Sequence, residues 1–503
     1  MTTHADSAGT DINPNTEAST NAGHDIPLPR RGDILTLDIE NAAFEGRSVA
    51  RVAGLVVFVD GAVPGDRVRA TVFRKKKQYA EARVDEVLVP SPHRVDPACT
   101  HFGVCGGCKW QHMRYEEQLR WKRQHVMDAF QRIGGLEDVT VNDTLPSLSP
   151  FWYRNKMEYS FGEMRWLLAD ELGEVSRDAE LFAVGLHVPK RYDRILHIDA
   201  CHLQSEESNR ILDATRRFFL ERGVRAFSTR THEGDLRHLV IREGKHTGER
   251  MVYLVTSRRM EEHMQDYAAL LQREEFGVST LVQGVTQRKS TVAIGETDVV
   301  LFGEGSIRER LGGNTFRISP TSFFQTNTLQ AERLYALAEQ AAALRADDVV
   351  WDLYCGTGTI SLFIARDVKH VVGVELNEAA IRDAERNAAD NGITNTQFIC
   401  ADIVDFLAPD ARDGGIADGI PAPDVIITDP PRAGMHTKVV DAIGRSGVSR
   451  LVYVSCNPAT SARDCGLLAE HGYVIEDITP VDMFPHTYHI ECVIRLRREE
   501  SAG

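Results

Sequence analysis

Val349-Val350-Trp351-Asp352-Leu353-Tyr354-Cys355-Gly356-Thr357-Gly358-Thr359 decides the fold. An apolar run broken only by Asp352 leads into a glycine-rich turn and then a helical pattern, the signature of a buried strand whose carboxyl end opens into a helix. Upstream, Leu334, Leu337, Ala341 and Leu344 recur at helical spacing. Downstream, strands are expected at His370 to Glu375, Gln397 to Cys400, Asp424 to Thr428, Arg450 to Val454, Tyr473 to Val481 and Ile490 to Leu496, with helical segments between. Such alternation gives an α/β domain with a mostly parallel, Rossmann-like sheet covered by helices.

Sheets of this kind bind ligands beyond the carboxyl ends of their strands. The glycines at 356 and 358 let the backbone approach a ligand while a helix N-terminus faces it. Glu375 closes the second strand, where an acid binds ribose hydroxyls, and Asp402 closes the third, where an adenine edge is read. The glycine spacing departs from the dinucleotide fingerprint, so S-adenosylmethionine is the expected ligand. The plainer alternative, simple turns and a solvated Glu375, has to explain three features in register.

Two further strand ends carry chemistry. Asp429-Pro430-Pro431-Arg432 ends the fourth and resembles the turns of methyltransferases acting on planar nitrogens. Ser455-Cys456-Asn457-Pro458 ends the fifth, and a thiol at a strand end is placed like a nucleophile. Carbon-5 of uracil is a poor nucleophile until a thiolate adds to carbon-6 and makes an enolate, so Cys456 suits a uracil C5 methyltransferase. A base must then remove the carbon-5 proton, and Glu491, preceded by His489-Ile490, is the candidate. Arg432 is a secondary candidate to face the enolate oxygen. A buried inert thiol is the alternative for Cys456, and is the reading given to Cys355, Cys400, Cys465 and Cys492. Enzymes of adenine need no such thiol, and enzymes of cytosine usually present theirs directly after a proline.

The rest of the chain sets the context. At 503 residues and 42% hydrophobic content it exceeds one ordinary core, implying two to four domains. It has neither a membrane-length apolar run nor a secretory pattern at its start, so a cytoplasmic protein with reduced thiols and no membrane partner is expected. Residues 1–30 read as a disordered tail. Short alternating segments from 31 to 90 read as a small OB-like β-barrel bearing the basic run Arg74-Lys75-Lys76-Lys77-Gln78-Tyr79. That run suits RNA phosphates and a stacked base, although a solvated turn explains it equally. Residues 91–318 mix strands with helices such as Ser205 to Arg222, and Arg114, Arg120, Lys122 and Arg123 offer a continuation of the RNA surface. The net charge of -15 does not exclude RNA, because the basic residues cluster. Cys99, Cys105 and Cys108 in a Gly-rich loop, with Cys201 far along the chain, make a four-thiol set able to hold zinc or an iron-sulfur cluster.

Ser319-Pro320-Thr321-Ser322-Phe323-Phe324-Gln325-Thr326-Asn327, Asp352 to Gly358, Asp429 to Gly434, Ser455 to Thr460, and Phe484-Pro485-His486-Thr487-Tyr488-His489-Ile490-Glu491-Cys492 together resemble the RNA 5-methyluridine methyltransferases. The resemblance makes residues 319–503 the S-adenosylmethionine-dependent domain and 31–90 similar to a TRAM domain. It implies that Gln325, Tyr354, Glu375 and Asp429 line the cofactor and base pocket, with Asp402 near the adenine, and gives Cys456 and Glu491 the nucleophile and base roles. It also implies a [4Fe-4S] cluster on the four cysteines, used for folding and RNA placement, in preference to zinc. The expected partner is structured RNA, ribosomal favoured over transfer RNA, bound by a monomer. A noncatalytic RNA-binding or assembly factor is the alternative from another class.

Overall fold

The computed structural model describes residues 28–168, 171, 181–189, 191–408 and 419–499. Nearly all of the expected tail (1–30), and most of the insertions at 166–182 and 409–423, lie outside the described residues. Strands Ile34–Asp38, Asn41–Ala42, Ser48–Val52, Leu55–Asp60, Arg67–Lys75 and Tyr79–Val89 form one six-stranded sheet. Leu37, Val57, Val59, Val68, Ala70 and Val72 fill its core, as period-2 alternation in strands requires. The basic run sits at the tip between the two longest strands, where Arg74, Lys76 and Lys77 are exposed and Tyr79 stacks edge-on against Phe58.

The central part is built on an eight-stranded sheet from Lys156–Gly162 to Thr297–Phe302. Helices Glu206–Glu221 and Glu261–Leu271 bury Phe218, Phe219 and Tyr267 in its core. Ser205 caps the first of these helices by accepting from Ser208 N, the arrangement serine favours. The hairpin Ile307–Leu311 with Asn314–Ile318 leads into helix Thr328–Ala342 and the last domain.

That domain carries a seven-stranded sheet in the order Thr396–Cys400, His370–Glu375, Val349–Leu353, Val425–Thr428, Arg450–Ser455, Glu491–Arg498, Tyr473–Val481. All its pairings are parallel except those of Glu491–Arg498, which runs antiparallel to both neighbours. Helix Tyr115–Arg132, far upstream, belongs to the same core. Its Val126, Ala129 and Phe130 pack with Leu451, Leu468 and Ile478, and Val141 and Leu145 bridge to Ile478 and Val481 along the sheet edge.

This docking corrects the reading of the basic residues around that helix. Lys122 is fully buried and its Nζ lies 2.6 Å from Asp482 Oδ1 and 3.2 Å from the Phe484 carbonyl. Arg123 donates to the Val141 carbonyl at 2.8 Å, Arg114 to that of Pro92 at 3.1 Å, and Arg120 pairs with Glu117 while lying over the Trp121 ring. Only Lys122 is thereby removed from the surface; the side chains of Arg114, Arg120 and Arg123 remain wholly or partly exposed. Among the described residues no helix is long and apolar enough to cross a membrane.

Removing one partner of a buried ion pair strands the other charge, at a cost of roughly 3–5 kcal/mol. Lys122→Ala is therefore expected to lower the thermal midpoint markedly, whereas Lys122→Met combined with Asp482→Leu recovers much of the loss; differential scanning calorimetry of the three proteins checks this.

Candidate active site

The turn after Val349–Leu353 is built by Asp352. Its carboxylate is buried and accepts from Ser361 N at 3.0 Å and Ser361 Oγ at 2.6 Å, pinning helix Thr359–Ile364 over the strand end. Burial pushes this carboxyl up to about 7 despite the Ser361 bonds. Between strand and helix the chain turns left-handed at Tyr354, Gly356 and Gly358, with φ of 65°, 54° and 74°. A Cβ on Gly358 would sit 3.0 Å from the Phe398 ring and 3.1 Å from Ala384, so that glycine serves packing. At Gly356 a Cβ would meet nothing within 4 Å, which leaves its backbone open to an incoming molecule.

Glu375 stands at the neighbouring strand end with Oε2 accepting from Gly356 N at 3.2 Å and Oε1 from Asn377 N at 2.9 Å. Beside it Leu376 is 66% exposed, an apolar surface suited to an adenine ring. Asp402 caps the short helix Ile403–Phe406 through Val404 N at 2.8 Å and is otherwise exposed. Tyr354 is pushed up to about 12 by burial, with Asp402, Asp464 and Glu375 adding repulsion. Gln325 is half-buried, and its carbonyl accepts from Asn155 Nδ2 at 2.8 Å. The open glycine backbone, the carboxylate at the second strand end and the exposed apolar face fit a nucleoside sulfonium such as S-adenosylmethionine.

The next two strand ends are knitted together. Asn457 caps helix Pro458–Ala469 by accepting from Ala459 N at 3.1 Å and also donates to the Arg432 carbonyl at 3.0 Å. Cys456, just before it, is half-buried. The antiparallel ladder ends with Ser455 paired to Cys492, which leaves Cys456 and Glu491 at the same end of their two strands, near enough for the Glu491 charge to act on the thiol. Burial, then the charges of Glu491 and Asp429, push the Cys456 thiol up to about 11, with Arg432 opposing. Burial and Asp429 also raise Glu491 well above the usual carboxylate range, and burial with Asp352 raises Asp429 to about 7. Cys456, Asp429, Glu491 and Arg432 thus share one electrostatic neighbourhood. Cys355, Cys465 and Cys492 are buried as expected, but Cys400 is exposed, its Sγ 3.5 Å from the Leu376 carbonyl at the open end of its strand.

Sequence reasoning missed what fixes the Glu491 loop. His486, at φ 65°, receives both Lys109 N (2.8 Å) and Trp110 N (3.0 Å) on its carbonyl, while its own amide donates to Gln118 Oε1 at 2.9 Å. These partners lie some 370 residues apart in the chain, so no local pattern announces them. Lys109 directly follows the cysteine loop. There Cys99, Cys105, Cys108 and Cys201 line a common cavity of about 350 Å³. Among the described residues no three Cys, His, Asp or Glu side chains are grouped closely enough to hold a single metal ion. Burial pushes Cys105 up to about 11 and Cys108 to about 12, with the neighbouring thiols adding to the effect.

A seven-stranded sheet of this order, with an acid at its second strand and a thiol beside a carboxylate at its edge, defines a nucleoside-cofactor methyltransferase acting on a planar base. Comparison with known proteins makes the class specific: the chain belongs to the tRNA (uracil-5-)-methyltransferase family, whose profile matches residues 244–499, with a TRAM domain at 30–84. It is accordingly an S-adenosylmethionine-dependent RNA (uracil-5-)-methyltransferase. An uncharacterized RNA methyltransferase of Chlorobaculum tepidum is 44% identical over 94% of this chain and 98% of its own length. One from Bacteroides thetaiotaomicron is 42% identical over 90% and 99%. The solved Pyrococcus abyssi tRNA (uracil-54, C5)-methyltransferase, in complex with S-adenosyl-L-homocysteine, shares 29% identity and a TM-score of 0.70 over 92% of this chain and all of that one.

Because its thiol sits at about 11, Cys456 is expected to react with iodoacetamide at a rate that climbs through the alkaline range. Glu491→Gln removes a nearby negative charge, lowers the thiol's pKa and shifts that climb to lower pH. Peptide mass mapping of alkylated Cys456 against pH measures both profiles.

Proposed function

We propose that this protein methylates carbon-5 of a uridine in structured RNA through a covalent adduct between Cys456 and uracil carbon-6. The observation that supports the reading is the end of the antiparallel ladder at Ser455 and Cys492, which leaves Cys456 and Glu491 at the same end of their two strands. Cys456 loses its proton and its Sγ adds to carbon-6, moving the electron pair of the 5,6 double bond into an enolate. Gly356 and Glu375 would hold S-adenosylmethionine, whose methyl group would bond to carbon-5 as its bond to sulfur breaks, leaving the neutral thioether S-adenosylhomocysteine. Glu491 then takes the carbon-5 proton, the double bond re-forms and Cys456 leaves as thiolate. Arg432 is a cation close to both Cys456 and Glu491 and opposes the build-up of negative charge there. The uridine must leave its stack to reach this edge, which is least costly in a loop.

Ribosomal RNA is our first substrate, on the layout of TRAM domain plus four cysteines. Transfer RNA is the second reading, favoured by one observation: the Pyrococcus abyssi enzyme, which spans 92% of this chain, is a tRNA methyltransferase. For the four cysteines we propose a [4Fe-4S] cluster held by Cys99, Cys105, Cys108 and Cys201. Thiols spread around a cavity of about 350 Å³ suit a cluster better than a single zinc ion.

Labelled methyl is expected to appear in 5-methyluridine of one unmodified RNA class and to be abolished by Cys456→Ala. Glu491→Gln is expected to methylate but not release, leaving a denaturation-resistant protein–RNA band. Transfer that survives Cys456→Ala would overturn the covalent route. Anaerobically purified protein should carry about four irons, with visible absorption lost in Cys105→Ser; one zinc in its place would sink the cluster assignment.

A further inference from the structure

Residues 151–155 run between the two loops that carry the reaction. On one side the Phe151 ring lies 4.3 Å from that of His486, and Tyr153 Oη donates to the Pro485 carbonyl at 3.3 Å. On the other, Asn155 N donates to the Thr326 carbonyl and Asn155 Nδ2 to that of Gln325, both at 2.8 Å. Tyr153 and Asn155 are buried, but Trp152 between them turns outward and is 51% exposed.

Its backbone is held in the left-handed region, at φ 53°, which a large aromatic residue rarely adopts. Both its backbone polar atoms are engaged: Trp152 N donates to the His202 carbonyl at 2.8 Å, and Lys245 Nζ donates to the Trp152 carbonyl at 3.0 Å. The fold therefore spends two bonds on holding an unfavourable conformation whose effect is to present an indole to solvent. Such strain gathers where a site must present a group in one pose. The ring is not an isolated surface aromatic. Phe323, 68% exposed, and Leu148, 64% exposed, belong to the adjoining loops, and the Lys245 ammonium lies beside its backbone.

We propose that Trp152 is a stacking platform for an RNA base, placed to hold a nucleotide next to the uridine being methylated. A ring held on a fixed backbone meets a base at little further ordering cost, and stacking tolerates any base; Lys245, paired with Glu243 at 2.8 Å, serves to hold that backbone. The proposal rests on the cleft at Cys456 being the place of methylation.

A short fluorescein-labelled oligouridylate, titrated against the full-length protein with S-adenosylhomocysteine present, tests it. Trp110, Trp121 and Trp351 are buried, so in a Trp166→Phe background, which removes the half-buried fifth tryptophan, intrinsic fluorescence quenching by unlabelled oligouridylate reports chiefly on Trp152. Trp152→Asn, a residue that tolerates the left-handed backbone, is expected to weaken binding by roughly 5- to 150-fold, the range for one stacked base, with melting temperature and S-adenosylhomocysteine binding unchanged. Trp152→Phe should keep affinity within a few-fold while abolishing the quench. Wild-type affinity in Trp152→Asn, or a quench that persists in Trp152→Phe, overturns the proposal. If Cys456→Ala still methylates RNA, the reading of the cleft fails separately from that of Trp152.

Discussion

The site depends on one reversed strand. In a wholly parallel sheet every strand delivers its carboxyl end to the same edge, and a sixth strand would bring its own C-terminal residue there. Because Glu491–Arg498 runs the other way, it delivers its first residue instead. A carboxylate at the start of that strand and a thiol just past the end of Arg450–Ser455 thereby become neighbours, although 35 residues part Cys456 from Glu491 in the chain. Shifting the register by one residue would turn Glu491 to the opposite face.

What precedes Glu491 must then be held rigidly, and this is where the upstream chain enters. The loop from Asp482 to Ile490 has no regular structure of its own, and several of its fixed points come from residues 109 to 122: the amides of Lys109 and Trp110 on the His486 carbonyl, Gln118 on the His486 amide, and Lys122 on Asp482. The same short stretch begins directly after Cys108. Whatever organises the cysteine loop therefore also organises the loop that carries the base, by contiguous hydrogen bonds.

The sequence made the strands of the last domain legible because they are continuous apolar runs ending in turns, and His370 to Glu375 and Tyr473 to Val481 fall where the pattern puts them. Glu375, Cys456 and Glu491 were legible for a related reason: each sits at a strand end, where chemistry and periodicity coincide. Helix Tyr115–Arg132 was not. Its basic residues look solvated on a helical wheel, and only a partner hundreds of residues away turns Lys122 into a buried charge. Strand Ala183–Val188 lies directly after the acidic 166–182 insertion, where a strand was expected, whereas one at Arg191–His197 was not. Trp152 escaped because its significance lies in a backbone angle, which no side-chain pattern encodes.

The electrostatics of the cleft give these placements a direction. Asp352 and Asp429 are pushed up to about 7, Glu491 is raised by burial, and Cys456 is raised by both carboxylates, with Arg432 the cation that opposes them. Each group is raised because a further negative charge in this space is costly. A cationic sulfonium in the pocket offsets that cost and eases the loss of the thiol proton, whereas the neutral thioether left after methyl transfer does not. On the covalent route proposed above, this charge balance would favour thiolate attack while the methyl donor is bound, and proton uptake by the Glu491 carboxylate once the methyl group has moved.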